Sequence, residues 1–296
     1  LLHPASVVIG TPGRIADHIS RENIDTSTIE HLILDEFDKS LELGFHEEMA
    51  YIIAHLPRLK KRTLTSATDL KELPKFLAMQ NPHKLNFLSD QPVKGLELKI
   101  VHSRQADKLY SFHQLLCNLS AAPTIVFCNH REAVERISGF LAEQEVSSEF
   151  FHGGLEQVDR ERILCKFRNG STQILLTTDL AARGLDIPEI KHVIHYQLPP
   201  KEDAFIHRNG RTARVEAEGT AYLILAPDEA RPEYVPENTA VMELVAGKPN
   251  PPQPQWLTLF IGGGKKDKLN KIDVVGFLSK IGQLEKDDLG LIEVKD

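Results

Sequence analysis

Cysteine is scarce in this sequence. Three cysteines occur among 296 residues, and Cys117, Cys128 and Cys165 lie far apart along the chain. This number and spacing exclude a disulfide framework and a zinc site built from clustered thiolates. We therefore expect core thiols in a protein that works in a reducing compartment, and the predicted location is the cytoplasm.

Long hydrophobic runs are also missing. No apolar run in the sequence approaches the ~20 residues that a membrane-spanning helix requires, so we expect no membrane partner. Residues 1–4, Leu-Leu-His-Pro, have neither the basic region nor the long apolar segment of a secretory signal peptide. They also lack an initiator methionine, and the sequence is therefore predicted to begin inside a longer protein.

Positively charged residues are fewer than negatively charged ones. The 42 acidic residues outnumber the 35 lysines and arginines, which gives a net charge of -7 at pH 7. The apolar content of 41% and the charged content of 26% are ordinary for a globular protein. Because nucleic-acid-binding proteins are often basic, any contact with RNA or DNA must come from individually placed arginines and backbone amides.

Strands and helices alternate along most of the chain, which is long enough for two domains and part of a third. The first series has predicted strands at 6–10, 32–34 and 62–65 and predicted helices at 15–19, 45–56 and 70–79. After a polar stretch at 81–95, the second series has predicted strands at 98–101, 124–128, near 150, 173–177, 192–195 and 221–225, and predicted helices at 107–119, 131–143, 159–167 and after 200. Such alternation predicts parallel sheets that helices cover on both faces.

The composition changes near residue 229. Six prolines between 229 and 255 are typical of a linker. Beyond it, predicted strands at 256–261 and 289–294 flank a predicted helix at 274–281. Two strands and one helix cannot bury their own apolar face, so this third domain is expected to be truncated.

Three carboxylates lie within four positions at the end of one predicted strand. Asp35, Glu36 and Asp38 follow the apolar run 32–34. Ligands of open α/β sheets bind beyond the carboxyl ends of the strands, where one carboxylate can hold a hydrated Mg²⁺ and another can position a water for NTP hydrolysis. An acidic helix N-terminus stabilised by the helix dipole is the alternative, and this segment alone supports both equally.

Two further patterns suit phosphate groups. Arginines at spacings of three between 207 and 214 can lay guanidinium groups on a γ-phosphate, and the segment 177–187 ends near Asp186, which is placed to accept a ribose hydroxyl. At 11–14, Thr-Pro-Gly-Arg opens a helix whose free amides form a ready phosphate site. Surface salt bridges and a plain helix cap are the alternatives when each pattern is taken alone.

Taken together, these segments resemble the DEAD-box RNA helicases. The resemblance rests on the order and spacing of motifs at 11–14, 35–38, 66–68, 125–128, 157–160, 178–186 and 207–214, and it covers residues 6 to 225. It implies an α/β fold with two RecA-like domains, each a doubly wound parallel sheet and the first incomplete, which close on ATP, Mg²⁺ and single-stranded RNA.

The tail resembles the beginning of the RRM-like α+β RNA-binding domain of bacterial DbpA-type helicases. It carries the loop Gly-Gly-Gly-Lys-Lys at 262–266, and helicases of that type act on ribosomal RNA during large-subunit assembly. A small α/β appendage with a lysine-rich loop is the alternative. The implied boundaries are 1–90 for the first domain, 91–228 for the second, 229–255 for the linker and 256–296 for the partial RNA-binding domain.

The resemblance gives individual residues a role. It implies that Asp35 holds the Mg²⁺ through water and that Glu36 orients the attacking water, whereas Arg211 and Arg214 act as arginine fingers. The residues implied to bind ATP or to couple it to RNA are Asp38, Ser66, Thr68, Asp186, His207 and Arg208. The residues implied to contact RNA are Thr11, Pro12, Gly13, Arg14, Arg131, Gly153 and Thr177.

The sequence departs from the family pattern in three places. Phe37 stands where the family usually has alanine, and we expect it to lie beside the metal site and to alter packing there. Asn209 and Ala213 replace an apolar residue and a glycine, which are mild changes. A Gly-rich loop ending in Lys-Ser/Thr occurs nowhere in the sequence, so the first domain lacks its phosphate cradle and this chain is expected to be inactive as an ATPase by itself.

Three functional hypotheses follow. The leading one is an ATP-dependent RNA helicase that unwinds short duplexes locally, with RNA as its partner, ribosomal RNA as the candidate target and a monomer as the expected state. An RNA-binding scaffold without ATP turnover is favoured by the missing loop and by Phe37. A DNA helicase with the same fold is the third hypothesis, and the residues that form the motifs disfavour it.

Overall fold

The structure is a computed structural model that describes residues 5–70, 72–87, 95–182, 187, 190–212 and 218–294. The chain divides into two compact units, Leu1–Asp90 and Gln91–Asp296, and each is described by itself. In the described part of the chain, no helix is both long and apolar enough to cross a membrane.

The first unit is built on two short parallel strands. Its elements are α1 (Pro12–Ser20), β1 (His31–Leu34), α2 (Phe37–Glu42), α3 (His46–Ala54), β2 (Lys61–Leu64) and a 3-10 turn at Lys75–Leu77. Leu34 of β1 lies opposite Leu64 of β2, so both strands end at the same edge of the sheet. The buried residues form two clusters, Ile19, Ile52 and Leu56 in one and Phe37, Met49 and Leu77 in the other.

Three expectations for this unit are wrong. Residues 6–10 form no strand and Ile9 is 92% exposed, because no strand among the described residues pairs with this segment. The described part of 70–79 holds only the turn Lys75–Leu77 in place of a helix, since Pro74 has no amide donor and restrains the residue before it. The strand β1 is not fully buried, and Ile33 is 67% exposed, because the described sheet has only two strands.

Phe37 also differs from its expected position. Glu36 adopts a left-handed backbone conformation, with φ 47° and ψ 49°, and α2 begins at the next residue. This turn directs Phe37 into the core, where it is fully buried with Met49 and Leu77. The Phe37 side chain therefore fills the core of the first unit, while its backbone directly follows Glu36 at the acidic edge.

The second unit contains one parallel sheet. Its elements are β3 (Leu96–His102), α4 (Leu109–Asn118), β4 (Thr124–Cys128), α5 (Arg131–Glu143), β5 (Glu149–Phe151), α6 (Gln157–Arg168), β6 (Ile174–Thr178), α7 (Asp179–Ala182), β7 (His192–His195), α8 (Glu202–Asn209), β8 (Gly219–Leu225) and β9 (Ala240–Val241). The strands lie in the order β5-β6-β4-β7-β8-β3-β9, and all the described pairings are parallel.

Helices cover both faces of this sheet. Along β4, Val126 and Cys128 pack against side chains of α4 and α5, whereas Ile125 and Phe127 pack against side chains of α6. Alternate residues of the central strand thus enter opposite layers, which explains why the strand is buried at every position and apolar from Ile125 to Cys128. The predicted doubly wound parallel sheet is confirmed.

Part of the segment predicted as a linker belongs to the second unit. Ala240 and Val241 form β9, which pairs with Lys99 and Ile100 at the edge of the sheet. Val235 is fully buried, so several residues between the prolines pack on the sheet. Prolines are tolerated at the edge of a sheet, because the side of an edge strand that faces solvent needs no backbone N–H to donate a hydrogen bond.

The tail differs from its prediction in the strands. The helix forms as α9 (Lys271–Lys280), and the Asn270 and Asp273 side chains cap its start. The described residues of 256–261 and 289–294 form no strand, and Leu257 is 94% exposed, because no neighbouring strand pairs with either segment there. Contacts with α6 and with the segment after it hold the tail: Thr258 Oγ1 lies 2.6 Å from Ser171 Oγ, and the guanidinium of Arg162, in the middle of α6, lies 4.7 Å from the centre of the Phe260 ring.

His195 is a buried ionisable group at the end of β7. Its Nε2 lies 2.9 Å from Asn209 Oδ1, and the side chain is fully buried. Burial, assisted by the nearby positive charge of Arg208, lowers the pKa of His195 to about 3. The imidazole is therefore neutral at physiological pH.

We expect Phe37→Ala to destabilise the first unit by about 3 to 5 kcal/mol, because the substitution leaves a cavity between α2 and α3. Leu43→Ala, at an exposed position at the end of α2, is the matched control and should change stability by less than about 1 kcal/mol. Hydrogen exchange of the α3 amides in the intact chain measures both. Equal effects of the two substitutions would contradict the burial of Phe37.

The second unit should lose stability in mild acid. An unfolded histidine has a pKa of about 6.5, so the unfolded state binds the proton before folded His195 does, and the free energy of unfolding falls as the pH drops below that value. The expected loss from this residue is about 2 kcal/mol at pH 5. Urea unfolding followed by the fluorescence of Trp256, the single tryptophan, tests this. His195→Gln should show a shallower loss between pH 7 and pH 5, and an unchanged pH dependence would refute the assignment.

Candidate functional site

Two carboxylates lie at the carboxyl edge of the first sheet. Asp35 and Glu36 directly follow β1 and are exposed, and Thr65 directly follows β2. The Thr65 hydroxyl donates a hydrogen bond to Asp35 Oδ1 and accepts one from the Glu36 amide at 3.2 Å. The Phe37 amide donates to the Thr65 carbonyl at 2.9 Å. These bonds fix the backbone under both carboxylates and leave most of their oxygens facing solvent.

A second group of predicted residues lies next to this edge. The Thr68 hydroxyl donates to Asp38 Oδ2 at 3.0 Å, and Asp38 is buried. The Ser66 hydroxyl donates to the Thr68 carbonyl at 2.7 Å and accepts from the Thr68 amide at 3.2 Å. The structure therefore brings Asp38, Ser66 and Thr68 together, and it links the acidic segment to the segment after β2.

The acidic edge fits a hydrated magnesium ion. No cluster of three His, Cys, Asp or Glu side chains that could enclose a metal occurs in the described part of the chain. Magnesium usually takes one or two carboxylates and completes its shell with water and phosphate oxygens. Asp35 and Glu36 are exposed oxygen donors, so the residues present suit an ion that is shared with a nucleotide and do not suit a closed metal cage.

The turn at 11–14 forms the start of α1 as predicted. Thr11 is the N-cap residue and Pro12 is the first residue of the helix. A Cβ built on Gly13 would meet no atom within 4 Å, and the Arg14 side chain is exposed. This helix start is therefore open to a phosphate group, in agreement with the spacing of the motif.

The predicted RNA contacts of the second unit differ in accessibility. Arg131 begins α5, is exposed and pairs with Glu132 at 2.9 Å. Gly153 lies in an open turn after β5. Thr177 does not fit the prediction, because it is fully buried and its hydroxyl donates to the Phe151 carbonyl at 2.9 Å. Side chains alternate along a strand, so the neighbouring Thr178, which is half-buried at the end of β6, is the more accessible residue that sequence reasoning missed.

Arg208 also differs from its expected role. It is 1% exposed, and its guanidinium makes two hydrogen bonds to Asp179 at 2.6 and 2.7 Å. Further bonds reach the Gln197 carbonyl at 2.6 Å and Asn129 Oδ1 at 2.8 Å. The guanidinium is thus committed to protein acceptors, so Arg208 supports the edge of the sheet and is not placed to bind a nucleotide. Sequence reasoning missed Asp179 and Asn129, although both directly follow apolar strands, as Asp35 does.

Two of the remaining predicted residues, His207 and Arg211, are described by the structure. His207 belongs to α8, and Arg211 follows it in a turn, and both are half-buried. Arg214 and Asp186 lie outside the described residues, and so does Ala213. In the described part of the second unit, Arg131 and Gly153 thus follow β4 and β5, whereas His207 and Arg211 lie at the end of α8 and just after it.

Three family models match the chain. The model described as DEAD/DEAH box helicase matches residues 1–75, the helicase conserved C-terminal domain matches residues 107–216, and the DbpA RNA binding domain matches residues 258–296. The matches follow the order of the motifs, with the acidic edge in the first and the arginine segment in the second.

Relatives and solved structures agree with these matches. The ATP-dependent RNA helicase DbpA of Bacillus subtilis (strain 168) is 29% identical over 100% of this chain and 68% of its own length, and that of Escherichia coli (strain K12) is 30% identical over 99% and 66%. The structure of S. cerevisiae Dbp5 bound to RNA and ADP BeF3 has a TM-score of 0.67 at 26% identity, over 75% of this chain and 60% of that one. The chain thus spans about two thirds of the length of the two bacterial relatives.

The family assignment rests on agreement between independent observations. The acidic edge after β1, its bond to the segment after β2, the parallel sheet of the second unit and the matched models all indicate the same kind of protein. The relatives cover nearly the whole chain, including the tail. The chain belongs to the DEAD-box helicases, and it carries a DbpA-type RNA-binding domain.

Proposed function

We propose that the protein to which this chain belongs is an ATP-dependent RNA helicase that couples ATP binding and hydrolysis to local unwinding of RNA duplexes. The observation that carries this proposal is the exposed pair Asp35 and Glu36, which Thr65 holds at the carboxyl edge of β1 and β2. The names of the bacterial relatives support the same activity for proteins of similar sequence.

The acidic edge supplies the hydrolytic groups in this proposal. Asp35 holds a Mg²⁺ ion through water, and a bound Mg²⁺ neutralises the phosphate oxygens of ATP. Glu36 orients the attacking water, since its backbone is fixed by Thr65 while its carboxylate stays exposed. Asp38, Ser66 and Thr68 form the hydrogen-bonded path that couples the nucleotide to RNA.

The second unit supplies cationic groups. Arg211, together with Arg214, which lies outside the described residues, stabilises the charge of the γ-phosphate. His207 belongs to the coupling network, and Asp186, also outside the described residues, binds the ribose. Arg208 contributes indirectly, because its bonds to Asp179 and Asn129 hold the end of α8 against the sheet.

In this proposal, a small number of individually positioned groups contact the RNA. The turn 11–14, Arg131 and Gly153 bind phosphate and sugar, which fixes the strand without reading its sequence. The DbpA-type tail directs the protein to ribosomal RNA, and the setting is assembly of the large ribosomal subunit in the cytoplasm. The protein acts as a monomer.

An RNA-binding scaffold without ATP turnover is the second candidate. The 296 residues contain no Gly-rich loop ending in Lys-Ser/Thr, and a full-length protein that also lacked this loop would bind RNA without turning over ATP. Phe37 no longer supports it, because that side chain lies in the core. RNA binding without RNA-stimulated ATP hydrolysis by the full-length protein would favour the scaffold.

Glu36→Gln should reduce RNA-stimulated ATP turnover of the full-length protein by about a hundredfold or more and leave the KM for ATP nearly unchanged. The amide keeps the size and hydrogen bonding of the side chain but cannot polarise water. Glu30→Gln is the matched control, since Glu30 is an exposed carboxylate at the opposite end of β1 that pairs with Lys60 at 2.6 Å. Full activity of Glu36→Gln at saturating ATP and RNA would rule out the assigned role.

Arg211→Lys should lower kcat by at least about tenfold and change the KM for ATP by less than about threefold, because lysine cannot make the bidentate contact of a guanidinium. Arg136→Lys serves as the control on the same unit, where an exposed arginine pairs with Asp107 at 2.5 Å. Steady-state ATP hydrolysis at saturating RNA measures both variants. A defect confined to the KM, with kcat intact, would contradict a role in stabilising the transferred phosphate.

A further inference from the structure

His152 makes three contacts on the turn that follows β5. The side chain is 5% exposed, and its ring stacks on Phe150 with the centroids 5.4 Å apart. The Gly154 amide donates a hydrogen bond to His152 Nδ1 at 3.1 Å. On the other side of the ring, Nε2 lies 3.2 Å from Glu135 Oε1 of α5, without the geometry of an aligned hydrogen bond.

These contacts determine which nitrogen carries the proton. Because the Gly154 amide is a donor, Nδ1 must be unprotonated and acts as an acceptor. The neutral ring therefore carries its proton on Nε2, which faces the Glu135 carboxylate. The histidine thus ties the turn to α5, and Glu135 lies one helical turn after Arg131 on that helix.

The same turn is held from two other elements. Arg160 at the start of α6 donates to the Gly153 carbonyl at 2.8 Å, and Thr177 of β6 donates to the Phe151 carbonyl at 2.9 Å. A Cβ built on Gly153 would meet no atom within 4 Å, whereas one on Gly154 would lie 3.2 Å from His152 Nδ1. The outer side of the turn is open, and its inner side is tightly packed against the ring.

The turn also presents a backbone hydrogen-bond donor, the Gly153 amide. Among the described residues, no protein acceptor takes a hydrogen bond from this N–H, while the Gly154 and Leu155 amides bond to the side chain and carbonyl of His152. Backbone amides that are fixed before binding hold an anion without the entropic cost of ordering a loop.

We propose that His152 is a positioning residue that fixes the Gly153–Gly154 turn so that the Gly153 amide meets an RNA phosphate. The inference rests on the proposed RNA-binding function and adds to it a side chain that does not touch RNA. The histidine acts through one acceptor atom, Nδ1, and a substitution that keeps an acceptor there keeps the turn in place.

Two variants at this position separate the acceptor from the rest of the side chain. Asparagine carries an amide oxygen close to the position of Nδ1, whereas glutamine extends toward Nε2 and offers no acceptor there. His152→Gln should weaken binding of a fluorescently labelled single-stranded oligouridine to the chain by about tenfold, the effect of one lost hydrogen bond. His152→Asn should stay within about threefold of the unmodified chain.

His192→Asn is the matched control. His192 is equally buried, lies at the amino-terminal end of β7 and contacts Ser120 at 3.2 Å, away from the turn. It should destabilise the second unit without changing RNA affinity. Fluorescence anisotropy at one salt concentration, with urea unfolding of each variant, gives the comparison.

The outcomes are distinguishable. If the unmodified chain binds no RNA, the proposed function fails and the inference fails with it. If it binds RNA but His152→Gln binds within twofold, or if His152→Asn is as weak as His152→Gln, the inference alone is overturned. Imidazole nitrogen shifts in NMR spectra of the unmodified chain give a test that needs no RNA: the proton should reside on Nε2, and a proton on Nδ1 would overturn the inference.

Discussion

The guanidinium of Arg208 holds together the edge of the second sheet at which the site residues lie. Its partners follow three adjacent parallel strands: Asp179 after β6, Asn129 after β4 and the Gln197 carbonyl after β7. Burial of a charge is costly, and here the cost is offset by charge-assisted bonds at all three nitrogens of the group. Loss of the arginine would leave Asp179 and the loops around it without their common partner.

The first unit links the ends of its strands through a neutral hydroxyl. Its two strands end opposite each other, and the Thr65 hydroxyl joins the loop after β2 to the carboxylate after β1. This hydroxyl holds Asp35 in place and leaves its charge in solvent, whereas the buried guanidinium of Arg208 pairs with the half-buried carboxylate of Asp179. The first arrangement keeps an acid available for chemistry, and the second uses an acid for structure.

This difference shows what the sequence could reveal and what it could not. The strand at 124–128 and the helix at 131–143 were predictable because an apolar run and a 3.6-residue period are local signals. The apolar run at 32–34 likewise predicted the position of Asp35 and Glu36 at the end of a strand. The strands at 6–10 and 256–261 were not, because a strand needs a partner and the apolar run does not reveal whether one is present. The sequence analysis assigned roles to Arg208, Thr177 and Phe37 from their positions in motifs. A motif does not show whether a side chain faces the ligand or the core.

Helix α6 shares its two ends between different parts of the second unit. Near its first turn, Arg160 donates to the Gly153 carbonyl, and at its last residue Arg168 pairs with Glu293 of the tail at 3.7 Å. A helix of 12 residues is a stiff rod of roughly 18 Å, so its ends cannot move independently. The tail and the turn after β5 are therefore attached to one stiff helix, so a shift of one attachment along the helix axis would also shift the other.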